Sequence, residues 1–152
     1  MYNETDYNEI KGQLNKTVIL VAVIFLAFLI LSIAFMLRLP RWIGAVFMSF
    51  GVCLTIFVWG VYGSPVYNYY RHIKDIMHGR IRKTRGTVVK ITEEPVYKDN
   101  LLLFYEILIK DEEDDVERIL LYDENKGKPA MEEGESYLFH TYQNFITNIE
   151  SL

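Results

Sequence analysis

The residues in this chain best suited to chemistry are three polar side chains that follow the second of two long apolar runs. His72, Asp75 and His78 combine imidazole and carboxylate groups, which are common zinc ligands. Residues three apart are neighbours on a helix, so Asp75 can contact either histidine, but the histidines themselves are six apart. We therefore interpret the three as the polar side of a helix at a membrane surface, and we expect no metal or other cofactor.

The remaining candidates do not form a catalytic site. His140 lies in a predicted strand without a nucleophile nearby, which favours a packing or edge residue. Five consecutive acids at 111–115 lack the alternating ligands and the glycine of a calcium loop, so they are predicted to be a solvated connection between strands. The chain has no phosphate-binding glycine loop, HExxH pair or serine nucleophile elbow. We expect the protein not to be an enzyme.

Charge divides the chain into two unlike parts. Residues 1–83 carry nine Lys or Arg and four Asp or Glu, whereas residues 84–152 carry seven and sixteen. The apolar residues are concentrated in the first part. A single cysteine, Cys53, lies within an apolar run, which excludes an intramolecular disulfide and a cysteine-based zinc site.

Two uncharged runs of 21 residues, 17–37 and 42–62, predict transmembrane helices. At about 1.5 Å per residue each spans a hydrocarbon core of about 30 Å. An acidic N-terminal tail (1–16) precedes the first run. The run itself is longer than the apolar region of a cleaved signal peptide. Only four residues separate the runs, and Pro40 among them ends the first helix. The region 17–63 is therefore predicted to be a tight helical hairpin.

Positive charge near the ends of the spans predicts the topology of this hairpin. Nine Lys or Arg flank it on the side of the two chain ends, against Arg38 and Arg41 in the connecting loop. Cytoplasmic segments carry the excess of Lys and Arg, so both termini are expected in the cytoplasm.

Small residues mark one face of the second span. They let helix backbones approach closely in lipid, where no hydrophobic force drives association. Two interpretations stay open: packing against the first span, or an interface with a second copy or another protein. No ionisable residue occurs in either span, which argues against a proton relay within the hairpin. The small residues are Ala45, Ser49, Cys53 and Gly60, with Gly63 near the same face.

The region 64–83 is predicted to be an amphipathic juxtamembrane helix and a basic linker. Ser64 and Pro65 are a favourable helix start, so we expect the second span to break at 63–65. Apolar residues then recur at helical spacing, which predicts a helix lying on the inner membrane surface. Basic residues near an anionic leaflet each contribute about 1 kcal/mol. This basic cluster comprises Arg71, Lys74, Arg80, Arg82, Lys83 and Arg85.

From residue 84 onward the apolar period changes to two, which predicts strands. Five runs fit: 87–91, 103–109, 116–122, 137–141 and 145–149. Five short strands with edges to protect favour a small antiparallel β-barrel of the OB or SH3-like kind at 84–152. The predicted fold class is therefore membrane α + β.

The C-terminal strands carry a family resemblance. Residues 133–137 (Glu-Gly-Glu-Ser-Tyr) and 145–150 (Phe-Ile-Thr-Asn-Ile-Glu), after two hydrophobic spans, resemble small Gram-positive bacterial membrane proteins with a C-terminal OB-like domain, and more distantly NfeD-like proteins. The resemblance implies the fold and a bacterial plasma membrane. It carries no catalytic or binding residue across.

These patterns favour a non-enzymatic, membrane-anchored interaction or scaffold protein with a protein partner or a second copy. One alternative is a ligand-gated membrane effector whose barrel senses a small molecule such as a nucleotide. Another is an accessory subunit of a transporter. Nucleic acid is not expected as a partner, because a domain with a net charge of −9 repels phosphates.

Overall fold

The computed structural model describes residues 1–98 and 102–152, which form two compact units. The hairpin unit comprises residues 8–70. The sheet unit joins Met1–Tyr7 to Arg71–Leu152. The first seven residues therefore pack with the distant C-terminal part of the chain.

Two helices of the hairpin unit are long and apolar enough to cross a membrane, as predicted. Helix α1 spans Glu4–Arg38 and α2 begins at Arg41, so α1 ends just before Pro40 as expected. Unlike the predicted tail, residues 4–16 are helical. Asn3 caps this start reciprocally: its Oδ1 accepts from the Asp6 N–H at 2.9 Å, and its N–H donates to Asp6 Oδ2 at 3.0 Å.

A new α-helix begins at Ser64, where the restart was predicted, but the chain stays helical across 63–65. Helix α2 (Arg41–Val58) continues through a π-helical turn, Trp59–Gly63, into α3 (Ser64–His78). Pro65 has no N–H to donate, and its ring would collide with a carbonyl of the preceding α-helical turn. The wider turn relieves this conflict, with the Ser64 N–H donating to the Trp59 carbonyl.

Two glycines of α2 pack it against α1. A Cβ at Gly44 would lie 2.3 Å from Met36 Cγ, and a Cβ at Gly51 would lie 2.5 Å from Phe28 Cβ. At the first of these contacts, the Ser32 hydroxyl donates to the Gly44 carbonyl at 2.7 Å. Close approach of the two helices therefore depends on the absence of a side chain at these two positions.

The predicted small-residue face is not the one that packs within the hairpin. At about 100° per residue, Gly51 lies opposite Ser49 and Cys53 around α2. Packing on the first span is therefore the wrong interpretation of this face, and the interface with another chain stays a prediction. The four predicted residues, Ala45, Ser49, Cys53 and Gly60, are all exposed.

The sheet unit holds a six-stranded mixed sheet rather than the predicted five-stranded antiparallel barrel. Its order is β1-β5-β6-β4-β3-β2, and β1 also pairs with β3. All pairs are antiparallel except β4 and β6, which are parallel and joined by the single residue pair Leu121–Phe145. The sheet is therefore not a closed barrel. The strands are β1 Arg82–Ile91, β2 Val96–Lys98, β3 Leu102–Asp111, β4 Glu117–Asp123, β5 Ser136–Tyr142 and β6 Phe145–Ser151.

The acidic run forms the predicted connection between β3 and β4, with one exception. Asp111 is buried, and its carboxylate lies 3.0 Å from Arg118 Nε and accepts the Glu113 N–H at 3.0 Å. Arg118 also pairs with Asp114. The ion pair of buried Asp111 with the partly exposed Arg118 therefore links the end of β3 to β4. The main core consists of Val88, Tyr105, Ile107, Ile109, Leu120, Tyr122, Tyr137, Phe139 and Ile146.

The hairpin contact predicts opposite outcomes for two glycine substitutions. Gly51→Ala should lower the stability of the hairpin by about 1–3 kcal/mol, because the new methyl group collides with Phe28. Gly60→Ala should be neutral or stabilising, since no atom lies within 4 Å of its Cβ position. Thermal unfolding of the detergent-solubilised chain, followed by helical circular dichroism, measures both. Equal midpoints for the two variants would contradict the packing.

Candidate functional site

One set of polar contacts in the sheet unit surrounds the first six residues of the chain. We call this set the N-terminal clamp: Tyr2, Asp6, His72, Asp123 and Lys126. It is built on the end of β4, where Asp123 caps the short 3-10 helix Glu124–Lys126. Asp123 Oδ1 accepts from the N–H and the side-chain amide of Asn125 at 2.9 and 3.1 Å. This cap fixes the buried carboxylate that receives the N-terminus.

Tyr2 connects the N-terminus to this carboxylate. Its hydroxyl donates to Asp123 Oδ2 at 2.8 Å, and Lys126 Nζ lies 5.3 Å from the centre of its ring. A cation at this distance from an aromatic face is attracted by the ring. Met1 packs against the main core. The first two residues are therefore an integral part of the sheet unit.

Asp6 adds an ion pair to the clamp. Its Oδ1 lies 2.8 Å from Lys126 Nζ, and both side chains are largely buried. Burial raises the pKa of Asp6, but the hydrogen bonds from Lys126 and Asn3 and the positive charges of Lys126 and the N-terminal amine outweigh it. The net result is a pKa below the ordinary value of 3.8.

An aromatic cluster joins the last part of α3 to the same place. His72 is buried, with its ring centroid 6.2 Å from that of Tyr2, 5.2 Å from Phe104 and 4.7 Å from Phe145, all nearly edge-on. Ile76 packs on the two phenylalanines. Ile73 and Ile76, which belong to the apolar face predicted to lie on a membrane surface, are buried within the protein instead, and His72, predicted on the polar side, is buried with them.

A close approach at Gly79 completes this packing. A Cβ at this position would lie 2.1 Å from Cε2 of Tyr142, whose ring borders the same aromatic cluster. Only glycine leaves room for the ring where α3 ends. The end of α3 is therefore in close contact with the turn between β5 and β6 at this glycine.

The predicted metal-ligand candidates are separated from one another. His72 lies in the aromatic cluster, Asp75 is 3.8 Å from Arg71, and His78 is exposed with Nδ1 2.9 Å from the Lys74 carbonyl oxygen. Within residues 1–98 and 102–152, no group of three metal-ligating side chains occurs. His140, predicted as a packing or edge residue, is half-buried on β5 with Nε2 3.1 Å from Glu150 Oε1.

The predicted basic cluster is exposed throughout. Residues 82 and 83 were predicted as the end of a linker, but they form the start of β1, which pairs with β5. The members Arg71, Lys74, Arg80, Arg82, Lys83 and Arg85 all belong to the sheet unit.

Sequence reasoning missed most of the clamp. Its two long-range contacts, Tyr2 with Asp123 and Asp6 with Lys126, each join residues about 120 positions apart. No local sequence pattern relates the partners. Two local signals were present: Asn3 with Asp6 is a reciprocal capping pattern, and Asp123 before a polar turn is a helix cap. Each signal predicts a cap within its own segment, but neither predicts the contact between the two segments.

Comparisons with known proteins add no functional assignment. No protein-family model, curated protein or solved structure matches the chain. The resemblance to OB-containing membrane proteins therefore stays a prediction.

The Tyr2 hydrogen bond can be separated from the packing of its ring. Tyr2→Phe should make the local opening of residues 1–7 easier by about 1–2 kcal/mol, because the buried Asp123 carboxylate loses a donor. Tyr2→Ala should have a larger effect, since it also removes the ring. Hydrogen–deuterium exchange of the N-terminal peptide in the full chain measures the opening. Tyr97→Phe, at a highly exposed tyrosine, is the control; equal exchange in Tyr2→Phe and Tyr97→Phe would disprove the contact.

The lowered pKa of Asp6 predicts a pH-dependent clamp. Because the folded pKa lies below the unfolded value of 3.8, the Asp6 carboxylate stabilises the clamp above that pH and loses this effect as the pH falls through the folded pKa. Asp6→Asn should therefore lower the thermal midpoint at pH 7, and the difference from the unmodified chain should shrink below about pH 4. A difference that stays constant down to pH 3 would contradict this assignment.

Proposed function

We propose that this protein is a non-enzymatic, membrane-anchored interaction module. Its hairpin spans a bacterial plasma membrane with both termini in the cytoplasm, and its acidic sheet unit docks a protein partner at the membrane surface. One observation carries the proposal: Met1–Tyr7 packs in the same compact unit as Arg71–Leu152, with two apolar helices between them. Packing of the two segments requires that both lie on the same side of the membrane, and two crossings return the chain to that side.

Charge supports the side of the membrane assigned to the sheet unit. The basic cluster is exposed and close in sequence to the second span, whereas the loop between the spans has only Arg38 and Arg41. Cationic side chains near an anionic leaflet favour the cytoplasmic surface. The lipid bilayer is therefore one of the proposed partners of this protein.

We take the sheet to be a partly open, OB-like arrangement. Strand β1 pairs with β5 through its first half and with β3 through its second half, and β4 meets β6 in parallel. OB folds are five-stranded, partly open Greek-key barrels, and β2 would be an addition to that plan. Such scaffolds carry binding surfaces on their loops and faces, which suits a docking role.

The small-residue face of α2 is the proposed contact between hairpins. It is exposed because Gly44 and Gly51 occupy the opposite side of the helix against α1. Faces of this type allow helices to approach closely in lipid. A second copy in the membrane would place Cys53 near its own counterpart.

Crosslinking in native membranes tests the proposal. Chemical crosslinking before detergent extraction, followed by affinity purification, should recover the chain bound to a protein partner or to itself. Mild oxidation should give a disulfide-linked dimer through Cys53, the only cysteine in the chain. The matched control is Ile30→Cys in a Cys53→Ser background, which places the thiol at an exposed position of α1. Recovery of an uncrosslinked monomer alone would count against the interaction module.

A further inference from the structure

A cleft of about 570 Å³ opens in the sheet unit, outside the clamp residues. One wall is the connection between β1 and β2, with Glu93 and Glu94, and the other is the loop after the 3-10 helix, with Lys128 and Pro129. Tyr105 belongs to the main core and exposes its remaining surface to the cleft. The volume falls within the range of about 300–1,000 Å³ that is usual for small-molecule sites.

Hydrogen bonds hold the first wall in place. Thr92 Oγ1 accepts the Glu106 N–H at 2.9 Å and donates to the Glu106 carbonyl at 3.3 Å, which fixes this wall to β3. A wall that is already ordered loses little conformational entropy when the cleft binds a ligand.

The charges at the cleft have no partners among the residues that the structure describes. In the part of the chain that the structure describes, the side chains of Glu93, Glu94 and Lys128 make no ion pair or hydrogen bond. The carboxylates and the ammonium group are therefore not paired with one another, although all three groups line the same space, to which Ile91 and Tyr105 add apolar surface. A ligand between the walls can meet both charges at once.

We propose that this cleft binds a small zwitterion, an α-amino acid or a dipeptide. Glu93 and Glu94 accept hydrogen bonds from its ammonium group, and Lys128 donates to its carboxylate. Its side chain rests on Ile91, Tyr105 and Pro129. Nucleotides are disfavoured, because two carboxylates repel their phosphates. This site is independent of the proposed docking function. For the alternative of a ligand-gated effector, it favours an amino acid or dipeptide as the ligand instead of a nucleotide.

Ligand screening on the full chain in detergent micelles tests the proposal. Thermal shift with each of the twenty free L-amino acids and the dipeptide Gly-Leu should identify at least one stabilising compound, whose affinity calorimetry then measures. Glu94→Gln and Lys128→Met should each weaken it about tenfold or more, because each removes a charged hydrogen bond. The control variants are Glu112→Gln and Lys83→Met, which make the same charge changes at exposed positions without side-chain ion pairs among the described residues. These controls should leave the affinity for the compound unchanged.

Derivatives of the compound found test the two charges separately. Its N-acetyl form lacks the ammonium group and its amide lacks the carboxylate, so both should bind about tenfold more weakly or worse. Equal binding of either derivative, no stabilisation by any amino acid or by Gly-Leu, or stabilisation by ATP instead would overturn the proposal. None of these results bears on the crosslinking test, so failure of the cleft and failure of the docking function are distinguishable.

Discussion

The buried carboxylate of Asp123 is the point on which the sheet unit depends. It is 1% exposed, and a charge removed from water at that depth is costly unless hydrogen-bond donors replace the solvent. Two donors come from Asn125 in the adjacent turn, and a third is the hydroxyl of Tyr2, more than a hundred residues away. Satisfying this one group therefore orders the end of β4, the 3-10 helix and the N-terminus together.

The same constraint explains why the N-terminus is part of a distant unit. Once Tyr2 lies at Asp123, Asp6 comes within reach of Lys126, and the Tyr2 ring contacts that of His72. Each contact is modest alone, but they share residues and reinforce one another. Because α1 begins at Glu4, the helix that carries the first apolar run starts inside this network. Movement of the start of α1 would therefore disturb the sheet unit directly.

Prediction from sequence succeeded where one local property decides the structure. Two 21-residue uncharged runs predicted both apolar helices, and period-two alternation located five of six strands. It failed where contacts between distant residues decide. Strand β2 has only three residues after Pro95, too few for alternation to register, and the parallel β4–β6 pair leaves no mark on either strand. His72 was assigned to solvent by helical spacing, but Phe104 and Phe145 cover it.

The distribution of paired charges separates structural roles from binding roles. Asp6, Asp111 and Asp123 are buried or largely buried, and each has a cation or a donor inside the sheet unit. Among the described residues, the charged side chains of the segment 80–85 and of the cleft walls have no such partner, although acids and bases lie close together in the sequence. Charged groups that the fold does not pair remain open to water or to other molecules. The proposed lipid and ligand contacts are therefore assigned to those unpaired groups rather than to the acidic composition as a whole.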